Sequence, residues 1–371
     1  MNRKLLFAAL LGCAVQTQAA MIDLTGIGYA TYGDFNSYSL PIGQLQQGCV
    51  GPGCPLHIPS SPGQISDLIV VATGSSGVPV NTNFAGMDNA YATPSGESGS
   101  NFFSTGTTTD ADQVSDFFGD QSNTWDSSLL ALKTFLAGDQ MVMFFNNNNL
   151  NGGNLQSLAA WAQLEITDNN GNRVAIYDFT NNNNPYALVS EGGGGEFLGD
   201  PTAYTSTGAG PTIGDNNATD YVLSGGPICI DYDLIPGVPS PVSCSSADAD
   251  EGPINHNLGA DEAAYAIVAP ELNMLLAGLF GLDDATLANY TMHIDLRLGC
   301  DPLFGTATDE ICTGAISGYG KNINNGYEQL FIGTATFDQP PPPRIPEPQM
   351  LMLFALGLLS LGVSRFRKVA A

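Results

Sequence analysis

Tyr290-Thr291-Met292-His293-Ile294-Asp295-Leu296-Arg297-Leu298 decides the fold class. Tyr290, Met292, Ile294, Leu296 and Leu298 alternate with Thr291, His293, Asp295 and Arg297, and a period of two sends the two sets to opposite faces of a β-strand. Upstream, residues 161–167 and 173–179 are apolar-alternating runs on either side of Asp168-Asn169-Asn170-Gly171-Asn172. Asn and Gly tolerate positive φ, so this block predicts a β-hairpin. Further strands are expected over 22–40, 68–72, around Phe102 and Phe103, over 141–145 and over 327–336. Two helices complete the reading. One spans 124–137, capped by Asn123 or Thr124, with Trp125, Leu129, Leu132 and Leu136 on one face and Gly138 as its stop. The other begins at Pro270 and runs to about Leu279. The sum is a mostly β protein, an antiparallel sandwich or jelly roll with one or two short helices, and a C-terminal hydrophobic helix.

Composition narrows the function. The chain has 371 residues, 36 acidic against 10 basic, and a formal charge of −26. Arg3, Lys4, Arg365, Arg367 and Lys368 lie in the terminal segments. Only Lys133, Arg173, Arg297, Lys321 and Arg344 remain in the body. Such a surface repels phosphate backbones, which excludes nucleic-acid binding. Hydrophobic residues make up 43% of the chain, enough for a buried core rather than disorder.

The termini read as addressing segments. Arg3 and Lys4 precede an apolar run, Leu5 to Leu11, and Thr17-Gln18-Ala19 offers a cleavage site, so residues 1–20 form a secretory signal peptide. Leu10-Leu11-Gly12-Cys13 offers a lipidation site as the alternative. At the other end Pro340-Pro341-Pro342-Pro343 predicts a stiff polyproline stalk. Pro346-Glu347-Pro348, an uncharged apolar run from Met350 to Val363, and Arg365, Arg367 and Lys368 follow. The apolar run is shorter than the about 20 residues of a permanent membrane span. The domain plan is therefore a signal peptide (1–20), an acidic β-rich extracellular domain (21–338), a Pro-rich stalk (339–348), and a hydrophobic sorting helix with a basic tail (349–371).

This order of parts resembles the PEP-CTERM sorting signal, which exosortase-type membrane proteases recognise. The resemblance implies export, transient insertion in the inner membrane and cleavage near Pro346, Glu347 and Pro348. It further implies delivery to the cell surface or biofilm matrix of a Gram-negative bacterium that makes extracellular polysaccharide. It is confined to the C-terminal signal.

The remaining cysteines suit that destination. Cys49, Cys54, Cys229, Cys244, Cys300 and Cys312 form three close sequence pairs, and nearest-neighbour disulfides (49–54, 229–244, 300–312) are the simplest pairing.

Chemistry is harder to find. The sequence has no G-x-S-x-G, H-E-x-x-H or phosphate-loop motif, and its three histidines, His57, His256 and His293, leave little room for a His-based triad. The expectation is a non-catalytic structural or adhesive component of the exopolysaccharide layer. The alternative is a secreted glycoside hydrolase using paired carboxylates, or a glycan- or Ca²⁺-binding module. Two candidate sites carry the binding alternative. His293, Asp295 and Arg297 share one strand face, as do Trp161, Gln163 and Glu165; were the strands neighbours, Trp161 would offer sugar a stacking platform. Asp231, Asp233, Asp248, Asp250 and Glu251 gather oxygen ligands of the kind Ca²⁺ takes, or serve as solvated loop acids.

Overall fold

The structure, a computed structural model, describes residues 21–61, 63–65, 68–74, 85–94, 102–105, 117–121, 123–148, 158–179, 222–223, 228–235, 238–243, 247–259, 261–299, 323 and 328–338. The chain divides into two compact units, Met1–Phe337 and Asp338–Ala371. The expected signal peptide, the polyproline run, the Pro-Glu-Pro motif and the apolar tail lie outside the described residues. Among the described residues no helix is long and apolar enough to cross a membrane.

Elements alternate along the chain as follows. The N-terminal part contributes β1 (Ile22–Asp23), β2 (Tyr29–Tyr32), β3 (Phe35–Ser39), α1 (Leu40–Gln46), β4 (Ile69–Thr73), β5 (Tyr91–Ala92) and β6 (Phe102–Ser104). The middle holds β7 (Trp125–Ser128), α2 (Leu129–Leu136), β8 (Gln140–Asn146), β9 (Ala159–Thr167), β10 (Arg173–Phe179) and β11 (Val222–Leu223). Then come β12 (Ile228–Ile235), β13 (Val238–Ser243), β14 (Tyr265–Val268), α3 (Pro270–Leu279), α4 (Asp284–Leu287), β15 (Thr291–Gly299) and β16 (Gln329–Thr336).

Two sheets face each other as a sandwich, so the fold is the mostly β one expected. The first runs β2-β3-β14-β8-β16-β4-β5, with β1 added in parallel to β16. The second runs β10-β9-β15-β6, with β7 also on β15 and β11 on β9. β12 and β13 form a separate ribbon.

The central strands of the first sheet are buried on both faces. Met141, Met143 and Phe145 of β8 join Ile267, Leu330 and Ile332 in the core shared with the second sheet. Val142 and Phe144 point the other way, into a second cluster with Phe331, Leu40 and Leu56. That is why Met141-Val142-Met143-Phe144-Phe145 is apolar without alternation. On that outer side α1 starts where the Ser39 hydroxyl accepts a hydrogen bond from the Ile42 amide at 3.3 Å. Nearby, Cys49 and Cys54 form a disulfide. Cys229 is also disulfide-bonded, while Cys244, Cys300 and Cys312 lie outside the described residues.

The second sheet follows the alternation read from sequence. Met292, Ile294, Leu296 and Leu298 enter the shared core. One expectation needs correcting. The helix over 124–137 starts later: Trp125–Ser128 is strand β7, and Ser128 caps α2 through its hydroxyl, which accepts from the Ala131 amide. Trp125 sits four residues before Leu129 and so mimics the helix stripe. Pairing with β15 and the Ser128 cap settle the matter for the strand. The stop is also one residue early, since Ala137 takes the left-handed conformation (φ 51°).

Candidate functional site

β9 and β15 are neighbours. Their register sets His293 opposite Glu165, Asp295 opposite Gln163 and Arg297 opposite Trp161. The two polar rows read from sequence therefore form one surface, the outer face of the second sheet. Its chemistry differs from that expected. Trp161 is fully buried, and the Arg297 guanidinium lies over its ring at 4.8 Å. Arg297 Nη2 in turn reaches Asp295 Oδ2 at 3.0 Å. The stacking face that sugar would need is occupied by a cation–π contact. Gln163 donates to Asp178 on β10 at 2.9 Å, and Glu165 pairs with Arg173 at 2.9 Å. Each row member is thus engaged with a side chain on its own or a neighbouring strand.

The densest chemistry is at the β7 end. β7 brings Asp126 opposite His293. His293 Nδ1 lies 2.9 Å from Asp126 Oδ1, and Nε2 lies 2.9 Å from the Thr167 hydroxyl. A carboxylate only accepts, so Nδ1 carries the proton and donates to Asp126. Nε2 pairs with the Thr167 hydroxyl, which can serve as donor or acceptor. All three side chains are buried, His293 at 2% exposure and Asp126 at 0%.

Two further acids adjoin Asp126. Asp88 Oδ2 accepts from the Asp126 amide at 2.6 Å. Asp120 comes from segment 117–121, where the Gln121 amide donates to Asp126 Oδ2 at 2.5 Å. That segment lies tightly on β15: Thr291 donates to the Phe118 carbonyl, and a Cβ on Gly119 would meet the Thr291 hydroxyl at 2.5 Å. Asp88, Asp120 and Asp126 each present an oxygen within 4.8 Å of the others. Hard oxygen donors at this spacing match what Ca²⁺ or Mg²⁺ takes, and they form the group of described acids close enough to share an ion.

The acids singled out in sequence are arranged differently. Asp250 Oδ2 accepts from the Tyr232 amide at 2.9 Å, Glu251 accepts from the Tyr232 hydroxyl at 2.7 Å, and Asp231 accepts from the Asp233 amide at 2.6 Å. Asp248 is exposed. These carboxylates bind the chain to itself around the middle of β12. The hydrogen bond from Glu251 also pushes the Tyr232 hydroxyl's pKa up.

Residues 22–297 match the model of a family described as a domain of unknown function, DUF8239. The chain belongs to it. No curated protein and no solved structure matches the chain. The DUF8239 match includes Asp88, Asp120, Asp126, Thr167 and His293 and ends at Arg297. It stops short of β16, although that strand lies inside the first sheet.

Sequence reasoning named His293 but neither Asp126 nor Thr167 as its partners. These residues come from β7, β9 and β15, far apart in the chain. The Asp168 turn marked the end of β9, and so the position of Thr167, but nothing marked β7 as a strand.

Proposed function

We propose that the chain is an exported component of the exopolysaccharide layer, structural or adhesive in role, and sorted through its C-terminal signal by an exosortase-type protease. The observation that carries this reading is the unit boundary at Phe337. β16 ends at Thr336, so in sequence the polyproline run, the Pro346-Glu347-Pro348 motif and the apolar tail all follow the last described strand. Cleavage at the motif would leave every described strand intact. The Cys49–Cys54 disulfide supports an oxidising destination, and the acidic surface supports solubility among like-charged chains.

Mass spectrometry of the mature termini in a host with an exosortase tests this. The expected product lacks residues 1–20 and the tail beyond the motif, and Glu347→Ala blocks the C-terminal cut. Intact full-length protein in the cytosol would overturn the reading.

A second reading, a Ca²⁺-holding matrix module, is favoured by the Asp88, Asp120 and Asp126 group. A ligand that binds only the folded state raises stability by about 2.7 kcal/mol at one hundred times its Kd. Melting in calcium against melting in chelator tests it, and identical curves would reject it.

A further inference from the structure

We propose that β2 is a self-association edge: two copies of this chain pair antiparallel through Tyr29–Tyr32 and join their first sheets into one continuous sheet. β2 is an outermost strand of the first sheet and pairs with β3 on one side. Gly33 and Asp34 make a two-residue turn, with Gly33 at φ 58°, so the flanking Tyr32 and Phe35 form a hydrogen-bonded pair. Hydrogen-bonded and non-hydrogen-bonded pairs alternate along an antiparallel ladder. Ala30 therefore bonds to Ser37, whereas the backbone N–H and C=O of Tyr29 and Thr31 point away from β3. Among the described residues nothing takes up those groups on that side.

Sheet edges invite pairing unless charge, proline, shortness or a covering segment guards them. The other described edges are guarded. β7 is covered by residues 86–88, whose backbone bonds to Asp126 and Ser128. β10 carries Arg173 and Asp178, and the Asp178 carbonyl accepts from the Asp34 amide. Ile230 of β12 bonds to the 250–251 backbone, and β13 contains Pro239 and Pro241. β1, β5, β6 and β11 are two or three residues long. β2 lacks these defences, since no charged residue and no proline occurs between Asp23 and Asp34.

The occupant that fits this strip is the same strip on a second copy. With a two-fold axis at Ala30, Tyr29 of each copy forms a hydrogen-bonded pair with Thr31 of the other, and every outward backbone group is satisfied at once. The Tyr29 ring, 48% exposed and 5.1 Å from that of Tyr38, adds apolar area along the seam. Charge decides where two such bodies can meet. The chain carries a formal charge of −26, so copies repel each other, and an uncharged strip is where their backbones can approach. Screening length falls from about 30 Å at about 0.01 M salt to about 3 Å at about 1 M. The pairing therefore strengthens with salt.

Analytical ultracentrifugation of the purified full chain, at rising concentration in low and high salt, tests this together with backbone hydrogen exchange over residues 27–33. The expected result is a monomer–dimer equilibrium that salt shifts toward dimer, with exchange over 27–33 slowing as the dimer forms. Thr31→Pro removes an outward N–H without breaking a bond to β3, and should abolish the dimer. Tyr29→Asp puts a like charge on each strand of the seam and should weaken it several-fold; this variant serves if the proline one does not fold. A chain that stays monomeric in high salt overturns the pairing. So does association unchanged in a folded variant, as contact between apolar tails would give. Protection of 27–33 that is independent of concentration also overturns it, because the edge is then covered from within the chain. None of these outcomes bears on terminal processing, so the sorting reading stands or falls separately.

Discussion

The two sheets of this sandwich bury their outer faces by opposite means. The first hides apolar side chains beneath α1 and its following loop, with Val142, Phe144 and Phe331 packed together. The second hides polar ones, and satisfies them: His293 between Asp126 and Thr167, Gln163 on Asp178, Arg297 over Trp161. Apolar burial is non-directional and tolerates imperfect geometry. Polar burial is favourable only when every donor meets an acceptor, so it fixes orientation. A protein that needs one rigid, chemically defined surface gains it from the second sheet and its stability chiefly from the first.

That contrast can be broken from the first sheet most strongly. Phe331 is fully buried, with its ring 5.4 Å from that of Phe144. Phe331→Ala should cost about 3–5 kcal/mol, read by denaturant unfolding, and leave the Asp126–His293–Thr167 contacts unchanged in NMR. A loss below about 1 kcal/mol would mean the outer cluster is not what holds this sheet.

Next comes an exception within the first sheet. Glu328, just before β16, is fully buried with no hydrogen-bond partner for either carboxyl oxygen among the described residues. Burial pushes its pKa from 4.5 up to about 7. The folded state therefore holds a proton that the unfolded chain releases above pH 4.5, and stability falls as pH rises from about 4.5 through about 7. Glu328→Gln should remove that fall, a gain on the order of 3 kcal/mol at pH 8. Parallel pH profiles of the two proteins would refute the assignment.

His256 supplies the opposite slope. It accepts the Ser39 hydroxyl proton at Nε2 (2.7 Å), stacks on Tyr265, and burial lowers its pKa from 6.5 to about 4. Here the unfolded chain binds the extra proton, so this stability is lost as pH falls from about 6.5 to about 4. Ser39→Ala should cost about 1–2 kcal/mol at pH 7, because both the α1 cap and the donor to His256 go. Thermal melts over this pH range check both the cost and the slope.

The smallest effect belongs to the second sheet. Arg297→Ala removes the cover of Trp161 at a cost of about 0.5–2 kcal/mol, and the Trp161 emission should shift to the red. An unshifted spectrum would show that something besides Arg297 shields the ring.

How much of this was legible beforehand follows the same division. β15 alternates because only its inner face is apolar, and the 168–172 turn announced the β9–β10 hairpin, so the pairing of two polar rows was within reach. β7 was not, since Trp125 at helical spacing from Leu129 imitates a helix and only the Ser128 cap separates the two. The buried Asp126–His293–Thr167 cluster was hidden for a simpler reason. Asp126, Thr167 and His293 meet through strand register, and register is a tertiary property that no local motif encodes. The acids in loops were conspicuous by clustering, yet Asp250 and Glu251 are engaged with Tyr232, while the closer trio was spread over Asp88, Asp120 and Asp126.

β16 has a consequence for biogenesis. It lies between β8 and β4 and also carries β1, so the first and last described strands are adjacent in the finished sheet. Until residues 329–336 are available, β8 and β4 present raw edges with no strand between them, and the apolar surface beneath stays open. The domain cannot mature piecewise from its N-terminus. It must wait, as an incomplete arch waits for its keystone, and a chain cut after Arg297 would be an open sheet rather than a smaller version of this one.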